Sequence, residues 1–370
     1  MKTFKIAFDA KRLFHNREGL GSYARTLVAD LQTLYPQHQY YLFTPKASAH
    51  AYAEPFLDEE KFTIVTAEGK NAWYWRSRGI VNDLRKHGID VYWGLSNELP
   101  FGLSQLPIKK VVTIHDMIYK TFPQQFTWSD RWIYQRKFSN AIKSADIVMA
   151  ASDSTRRDIL KYFKGYEDKV ATVYQAVPPV FRNRNGRSSV DQHYLMVGSI
   201  NERKNLDLVV EAYKLLDEAD RRPVVIVGGC KGAYYNMISH KIKSCKLEPY
   251  FRFVGQVDEG ELIRLYQASI ALLFPSLYEG FGIPIIEALT VGIPVIGNDI
   301  SSIPEILGKY GIIIEYDRAE SLKEAILKMN DNNNDWAFDA KDVKQHLNQF
   351  NHQVVGQAIL ETLQLDKNLS

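Results

Sequence analysis

The chain has 370 residues, 45% of them hydrophobic and 24% charged, with a formal net charge of +3. That composition excludes a disordered, collagen-like or low-complexity protein, and the length suits about two domains at ~150 residues each. No apolar run approaches the ~20 residues of a membrane span, Met1 to Asp9 meets an acid before a signal-peptide core forms, and the two cysteines, Cys230 and Cys245, are too few to staple such a chain, so a cytoplasmic setting is expected. The charge is uneven, +7 over residues 1–180 and −4 over the remainder, which fits two units with different partners or simple scatter. There is no dense basic stripe, so nucleic acid is not expected as a partner.

Elements alternate along both halves. In the first, Lys5–Ala10, Tyr40–Thr44, Val91–Gly94, Lys110–Ile114, Asp146–Ala151 and Val170–Tyr174 read as strands. Between them Gly21–Leu34, Gly79–His87, Ile133–Lys143 and Thr155–Phe163 have helical spacing, the last capped by Ser152 or Ser154. Pro178-Pro179 and the polar run Asn183–Ser189 read as a linker. The second half repeats the pattern, with strands at Tyr194–Val197, Pro223–Val227, Phe251–Val254, Ile270–Phe274, Val295–Ile296 and Gly311–Ile314 and helices between them. The expected fold is α/β, two doubly wound Rossmann-like domains facing across a cleft, spanning 1–180 and 188–351. The amphipathic tail, residues 352–370, is expected to pack back on the first domain. Ligands of such folds bind at the carboxyl ends of strands.

Five stretches carry candidate chemistry. Gly19-Leu-Gly21-Ser-Tyr-Ala24 has GxGxxA spacing, but residues 11–18 separate it from the first strand and the second strand ends Phe43-Thr44-Pro45, with no ribose-binding acid. A nicotinamide site is therefore rejected. Glycines ahead of a helix still bring backbone N–H groups near a phosphate, and the same spacing fits a plain turn. Thr113-Ile-His115-Asp116 ends a buried strand, where a histidine either points at a ligand or is satisfied locally. Gly198-Ser199-Ile-Asn-Glu-Arg203-Lys204-Asn205 puts two cations at a strand-to-helix junction, suited to a diphosphate or to solvent. Phe251-Arg-Phe-Val254-Gly-Gln ends a strand with backbone groups able to read a base edge. The most specific run is Glu279-Gly280-Phe281-Gly282-Ile283-Pro284-Ile-Ile-Glu287: one carboxylate enters a glycine-flanked loop and a second follows on a helix that Pro284 helps to start. The chain has no GxxxxGK[ST], HExxH, CxxC or GxSxG motif, and no metal site is expected.

Together these motifs resemble the retaining, nucleotide-sugar-dependent glycosyltransferases of the GT-B fold, family 4 (group 1), over nearly the whole length. Glu279 to Glu287 looks like the family's E-x7-E signature, Gly198 to Asn205 like its phosphate-binding turn, and Gly19-Leu-Gly21 like its first-domain glycine loop. His115 sits where the family has a sugar-contacting histidine. The resemblance implies that Gly19 and Gly21 approach the donor diphosphate and that Arg203 and Lys204 neutralise it. It implies that Glu279 and His115 meet the donor sugar and Glu287 the ribose. Amides of Gly280, Phe281, Gly282 and Ile283 would hold phosphate and sugar, and the Val254 backbone would meet the base. Two positions depart from the pattern: Ser199 stands where many relatives have an arginine, and Glu18-Gly19 where a Gly-Gly pair is frequent.

The implied reaction is metal-independent and retaining, with front-face substitution and the leaving phosphate taking the acceptor proton. No cofactor is implied, since the nucleotide-sugar is a substrate. Thr113 to Tyr119, Phe122 to Phe126 and the Arg203 and Glu279 motifs together look like the subgroup that builds bacterial surface polysaccharides, many of them mannosyltransferases using GDP-mannose. A UDP-sugar donor, a GT-B nucleotide-sugar epimerase and a non-catalytic binding subunit are the alternatives. The acceptor, a glycan or lipid-linked glycan, is expected on the first domain, where Trp73, Trp75, Arg76 and Arg78 lie near Trp128, Arg131, Trp132, Arg136 and Lys137 in composition. That patch fits either peripheral contact with an anionic inner membrane face or a packed helix with a solvated basic side.

Overall fold

In the computed structural model, which describes residues 2–69, 71–182, 193–331 and 339–364, the chain divides into two units. The first comprises Met1–Ala176 with Asn351–Ser370, the second Val177–Phe350. The run 183–189 read as a linker, and residues 365–370 of the tail, lie outside the described residues.

The first unit is built on a parallel sheet of β1 (Lys5–Asp9), β2 (Gln39–Thr44), β3 (Phe62–Thr66), β4 (Val91–Gly94), β5 (Lys109–Ile114), β6 (Ile147–Ala150) and β7 (Val170–Thr172). Their spatial order is β3-β2-β1-β4-β5-β6-β7. Ile6, Ala7 and Phe8 are all buried, because helices cover both faces of a parallel sheet. β3 was not anticipated from Phe62-Thr-Ile-Val-Thr66. It is an edge strand with one fully buried residue, so its apolar run is short and half-solvated. The helix Gly19–Leu34 buries Tyr23, Ala24, Leu27, Val28 and Leu31. The tail helix His352–Leu363 starts at Asn351, whose side chain accepts from the Gln353 N–H at 2.8 Å. Its Val355, Ile359, Leu360 and Leu363 join the core formed by Leu27 and Leu31, and Lys109 Nζ donates to the Leu363 carbonyl at its end. Ser152 rather than Ser154 caps the helix Asp153–Tyr162, accepting from the Thr155 N–H at 3.0 Å.

The second unit repeats the plan with β8 (His193–Val197), β9 (Val224–Val227), β10 (Phe251–Gly255), β11 (Ser269–Phe274), β12 (Val295–Asn298) and β13 (Gly311–Ile314). Their order is β10-β9-β8-β11-β12-β13, all parallel. The sheet order thus reverses between β1 and β4 in the first unit and between β8 and β11 in the second. Such reversals open a crevice at the carboxyl ends of the two strands. Both halves are doubly wound sheets, and among the described residues no helix is long and apolar enough to cross a membrane.

Candidate functional site

In the second unit the switch-point strands deliver two loops to each other. After β8 the chain passes Gly198 and Ser199 and forms a tight turn, Glu202–Lys204, capped by Asn201, whose side chain accepts from the Lys204 N–H. Asn205 ends the turn at φ +54, a left-handed conformation that asparagine tolerates, and its amide donates to Asp317 Oδ1 at 2.9 Å. After β11 the chain runs through Pro275 to Gly282 into the helix Ile283–Val291. The loops are clipped together where the Leu277 N–H donates to the Arg203 carbonyl at 2.8 Å and Arg203 Nη1 donates to the Tyr278 carbonyl at 3.0 Å.

Both cations then converge on one carboxylate oxygen. Arg203 Nη1 lies 2.6 Å and Lys204 Nζ 2.8 Å from Glu279 Oε1, with Lys204 Nζ also 4.7 Å above the Phe274 ring. Burial would raise the Glu279 pKa, but the adjacent Arg203 and Lys204 charges outweigh it and hold the carboxyl down at about 2. Two cations against one anion leave the cluster net positive, which is the balance an anionic group requires. The loop itself is held by a pair of serines after β12. Ser301 Oγ accepts from the Glu279 N–H at 2.9 Å, and Ser302 Oγ bonds the Glu279 and Phe281 carbonyls at 3.0 and 2.7 Å. Phe281 is buried edge-on against Phe350, and Gly280 and Ile283 are half-buried. Gly282 directly precedes the helix.

Glu287 sits one turn into that helix and is buried, with Oε2 accepting from the Tyr266 hydroxyl at 2.8 Å. Burial pushes its carboxyl up to about 7, and the Tyr266 hydrogen bond only partly offsets that. The two carboxylates eight residues apart therefore have opposite ionisation behaviour, which their common residue type conceals. Val254 lies at the end of β10, where the pairing with β9 slips by one residue and the Gly228 N–H donates to the Gly255 carbonyl at 2.8 Å. Tyr266, Ser301 and Ser302 were missed from sequence. Each acts on the motif from an element 21 to 23 residues away, and no local pattern marks it.

In the first unit Gly19 and Gly21 lie inside the first turn of the helix Gly19–Leu34, not in a loop ahead of it. The Gly21 N–H donates to Glu18 O at 2.9 Å and Asn16 Oδ1 at 3.1 Å, and a Cβ there would stand 1.8 Å from the Asn16 carbonyl oxygen. Gly21 is thus required by the close approach of its own preceding chain. His115, just past β5, is buried with its ring 4.6 Å edge-on to Tyr23 of that helix. Its Nε2 bonds the Leu95 carbonyl at 2.8 Å, so Nε2 carries the proton, and Nδ1 faces the Gln175 amide at 3.4 Å. Burial lowers its pKa to about 4 and keeps it neutral at pH 7. Of the exposed patch, Trp73, Tyr74, Trp128 and Trp132 are solvent-facing, at 78%, 56%, 74% and 54%. Trp75 departs from that reading: it is buried against Phe43 and donates from its indole to Asp83 at 2.5 Å. Among the described residues no group of three or more His, Cys, Asp or Glu side chains is placed to hold a metal ion.

Two family models match, one for each half: Glycosyltransferase Family 4 over residues 17–181 and Glycosyl transferases group 1 over residues 179–344. The chain is 26% identical to the O-antigen chain mannosyltransferase B of Escherichia coli over 88% of this chain and 90% of that protein. In structure it is similar to sucrose-phosphate synthase from Thermosynechococcus elongatus, with a TM-score of 0.78 at 18% identity, covering 99% of this chain and 100% of that one. It is also similar to the Anabaena protein HepE in complex with UDP-glucose, with a TM-score of 0.75 at 16% identity, covering 97% and 99%.

Proposed function

The chain belongs to the GT-B glycosyltransferases, with a family 4 first half and a group 1 second half, and on that premise we propose that it transfers mannose from GDP-mannose to a glycan or lipid-linked glycan during surface-polysaccharide synthesis. Transfer proceeds with retention and without a metal ion, in the cytoplasm. The observation that carries this reading is the convergence of Arg203 and Lys204 on Glu279 beside the N-terminus of the helix Ile283–Val291. A departing nucleoside diphosphate needs positive charge and N–H donors, and this cluster has a net positive balance next to a row of backbone amides. Glu279 orients both cations and offers its carboxylate to donor-sugar hydroxyls. The leaving phosphate takes the acceptor proton, so no protein nucleophile is required. The mannosyltransferase relative supports the choice of sugar.

Glu287 receives the ribose, with Tyr266 fixing one of its oxygens. The acceptor binds the first unit, whose exposed Trp73, Tyr74, Trp128 and Trp132 stand with Arg78, Arg131 and Arg136 as a peripheral membrane contact.

Thermal stabilisation by GDP, UDP, ADP and dTDP, each with and without EDTA, tests the donor. A nucleotide at 100 times its dissociation constant adds ~2.7 kcal/mol of stability. GDP is expected to give the largest rise, unchanged by EDTA; a larger rise with UDP overturns the donor assignment. A second expectation concerns Glu287. Its carboxyl, held up to about 7 in the free protein by burial, must ionise to accept two ribose hydroxyls. GDP binding therefore releases a proton, and affinity rises with pH up to about 7 and levels off above it. Calorimetric titration in buffers of different ionisation heat reads that proton. A flat affinity between about pH 5.5 and about pH 8 would count against Glu287 as the ribose ligand.

A further inference from the structure

Resting on the diphosphate role proposed for Arg203, we propose that Ser301 is a positioning residue of the transfer reaction. Its hydroxyl sets the peptide between Tyr278 and Glu279, and through that peptide it aims the Arg203 guanidinium. The link is two hydrogen bonds long. Ser301 Oγ accepts from the Glu279 N–H at 2.9 Å, and at the other end of the same peptide the Tyr278 carbonyl accepts from Arg203 Nη1 at 3.0 Å. A trans peptide points its N–H and its C=O in opposite directions, so fixing one end fixes the other. Arg203 Nη1 then lies 2.6 Å from Glu279 Oε1.

Three residues at the end of β12 each forgo their locally favoured arrangement for this one loop. Ser301, half-buried, stands at φ +53, a left-handed backbone that suits glycine or asparagine better than serine. Ser302 occupies the N-cap position of the short helix Ile303–Leu307 but makes no cap with its side chain. Its Oγ lies instead 3.0 Å from the Glu279 carbonyl and 2.7 Å from the Phe281 carbonyl. Asn298, fully buried, gives its amide N–H groups to the Pro275 and Ser276 carbonyls at 2.8 and 3.2 Å, while its Oδ1 has no hydrogen-bond partner among the described residues. Strained or unsatisfied groups persist where the surroundings over-determine them, and they cluster at functional sites. Glycine at 301 would relieve the backbone, so the strain is borne for the serine oxygen.

The brace divides its work between carbonyls and an amide. Asn298 and Ser302 hold carbonyl oxygens of the loop, and by the same trans geometry Ser302 turns the N–H groups of Gly280 and Gly282 to the opposite side. Ser301 holds an N–H, and so does the reverse for the preceding peptide, turning the Tyr278 carbonyl toward Arg203. Take away the Ser301 oxygen and the Glu279 N–H loses this acceptor, so the peptide can rotate. Arg203, Lys204 and Glu279 all remain, with their charges unchanged. The defect is therefore one of aim. A guanidinium meets phosphate oxygens through a planar fork, so a tilt disturbs two hydrogen bonds together, and the terminal phosphate of a nucleoside diphosphate is the group that reads it.

The test uses the full chain and the ratio of its affinities for GDP and GMP, measured by calorimetry. UDP and UMP are run alongside, and the pair that the unaltered chain binds more tightly is followed. Ser301→Gly relieves the backbone but removes the hydroxyl. Its melting temperature should stay within about 2 °C of the parent, while the diphosphate-to-monophosphate ratio falls about tenfold. Ser301→Thr keeps the hydroxyl on a residue that tolerates the left-handed backbone less well, so it should melt lower and yet keep the ratio. A serine that served the fold alone would give the opposite pattern, with the ratio following stability. With Arg203→Met already in place, Ser301→Gly should change the ratio less than about twofold, because two residues acting through one contact are not additive. A parent-like ratio in Ser301→Gly, a melting temperature for it well below the parent, an equal loss of ratio in Ser301→Thr, or an undiminished loss in the Arg203→Met background overturns the proposal alone. Equal binding of diphosphate and monophosphate by the unaltered chain overturns the diphosphate reading, and this proposal with it.

Discussion

Glu279→Ala is expected to destabilise the free protein by about 3 kcal/mol and to lower transfer at least about a hundredfold. The two effects share one origin. Arg203 and Lys204 meet on Glu279 Oε1, and all three side chains are mostly buried. Removing the carboxylate takes away the anion on which these two like charges meet. The loss stands at the lower end of the range for a broken buried pair, because Arg203 keeps its bond to the Tyr278 carbonyl. A diphosphate supplies the missing negative charge, so GDP should raise the melting temperature of the variant by more than it raises that of the parent. Transfer nonetheless collapses, because the cations are no longer aimed and the sugar has lost a carboxylate. A variant with unaltered melting temperature and unaltered transfer would remove Glu279 from the site. Acid stability provides a further check. Folded Glu279 is held down at about 2 against an ordinary 4.5, so its contribution is complete above the ordinary value and is lost as pH falls through about 2. The variant should lack that part of the acid limb.

Gly228→Ala is expected to cost more than about 3 kcal/mol and to abolish GDP stabilisation. Gly228 follows β9 at φ +146, and a Cβ there would lie 1.9 Å from the Gly198 carbonyl oxygen and 3.1 Å from the Ser199 nitrogen. Backbone cannot move aside as a flexible side chain does. The added methyl group would push the ends of β8 and β9 apart, and with them the turn that delivers Arg203 and Lys204. Gly229→Ala is the internal control: its Cβ would meet nothing within 4 Å, and it should stay within about 1 kcal/mol of the parent. Thermal melts of both variants, with and without GDP, decide the matter. Equal stability of the two would show that the close approach of Gly228 to Gly198 is not needed.

The legible part of this chain was the part written in periodicity and in short motifs. Buried strands such as Lys110–Ile114 and Ile270–Phe274 announce themselves because both faces are covered and the run is apolar throughout. Phe62–Thr66 does not, since an edge strand needs only part of that signal. Glu279, Glu287, Arg203 and Lys204 were legible as candidates from their spacing, and the structure gathers Arg203, Lys204 and Glu279 on one oxygen. Their electrostatic roles were not legible. A glutamate held at about 2 and another raised to about 7 are the same residue type, and the difference comes from two adjacent cations in one case and, in the other, from burial that the Tyr266 hydrogen bond only partly offsets. The packing of the glycines in the first unit was not legible for a related reason. Gly19-Leu-Gly21 has the spacing of a loop, but Gly21 answers a contact with Asn16 that only the folded chain creates.

By itself the sequence determined two doubly wound halves and the short runs that carry charge and glycine, because strand and helix periods and turn chemistry are local properties of adjacent residues. The tertiary structure alone decided which charges meet. Arg76 joins Asp9 across 67 positions, and Lys204 joins Glu279 across 75. Such pairs depend on strand order, which brings the ends of β1 and β4, and of β8 and β11, side by side. Desolvation and Coulomb interaction act on distance in space, and distance along the chain carries no trace of it.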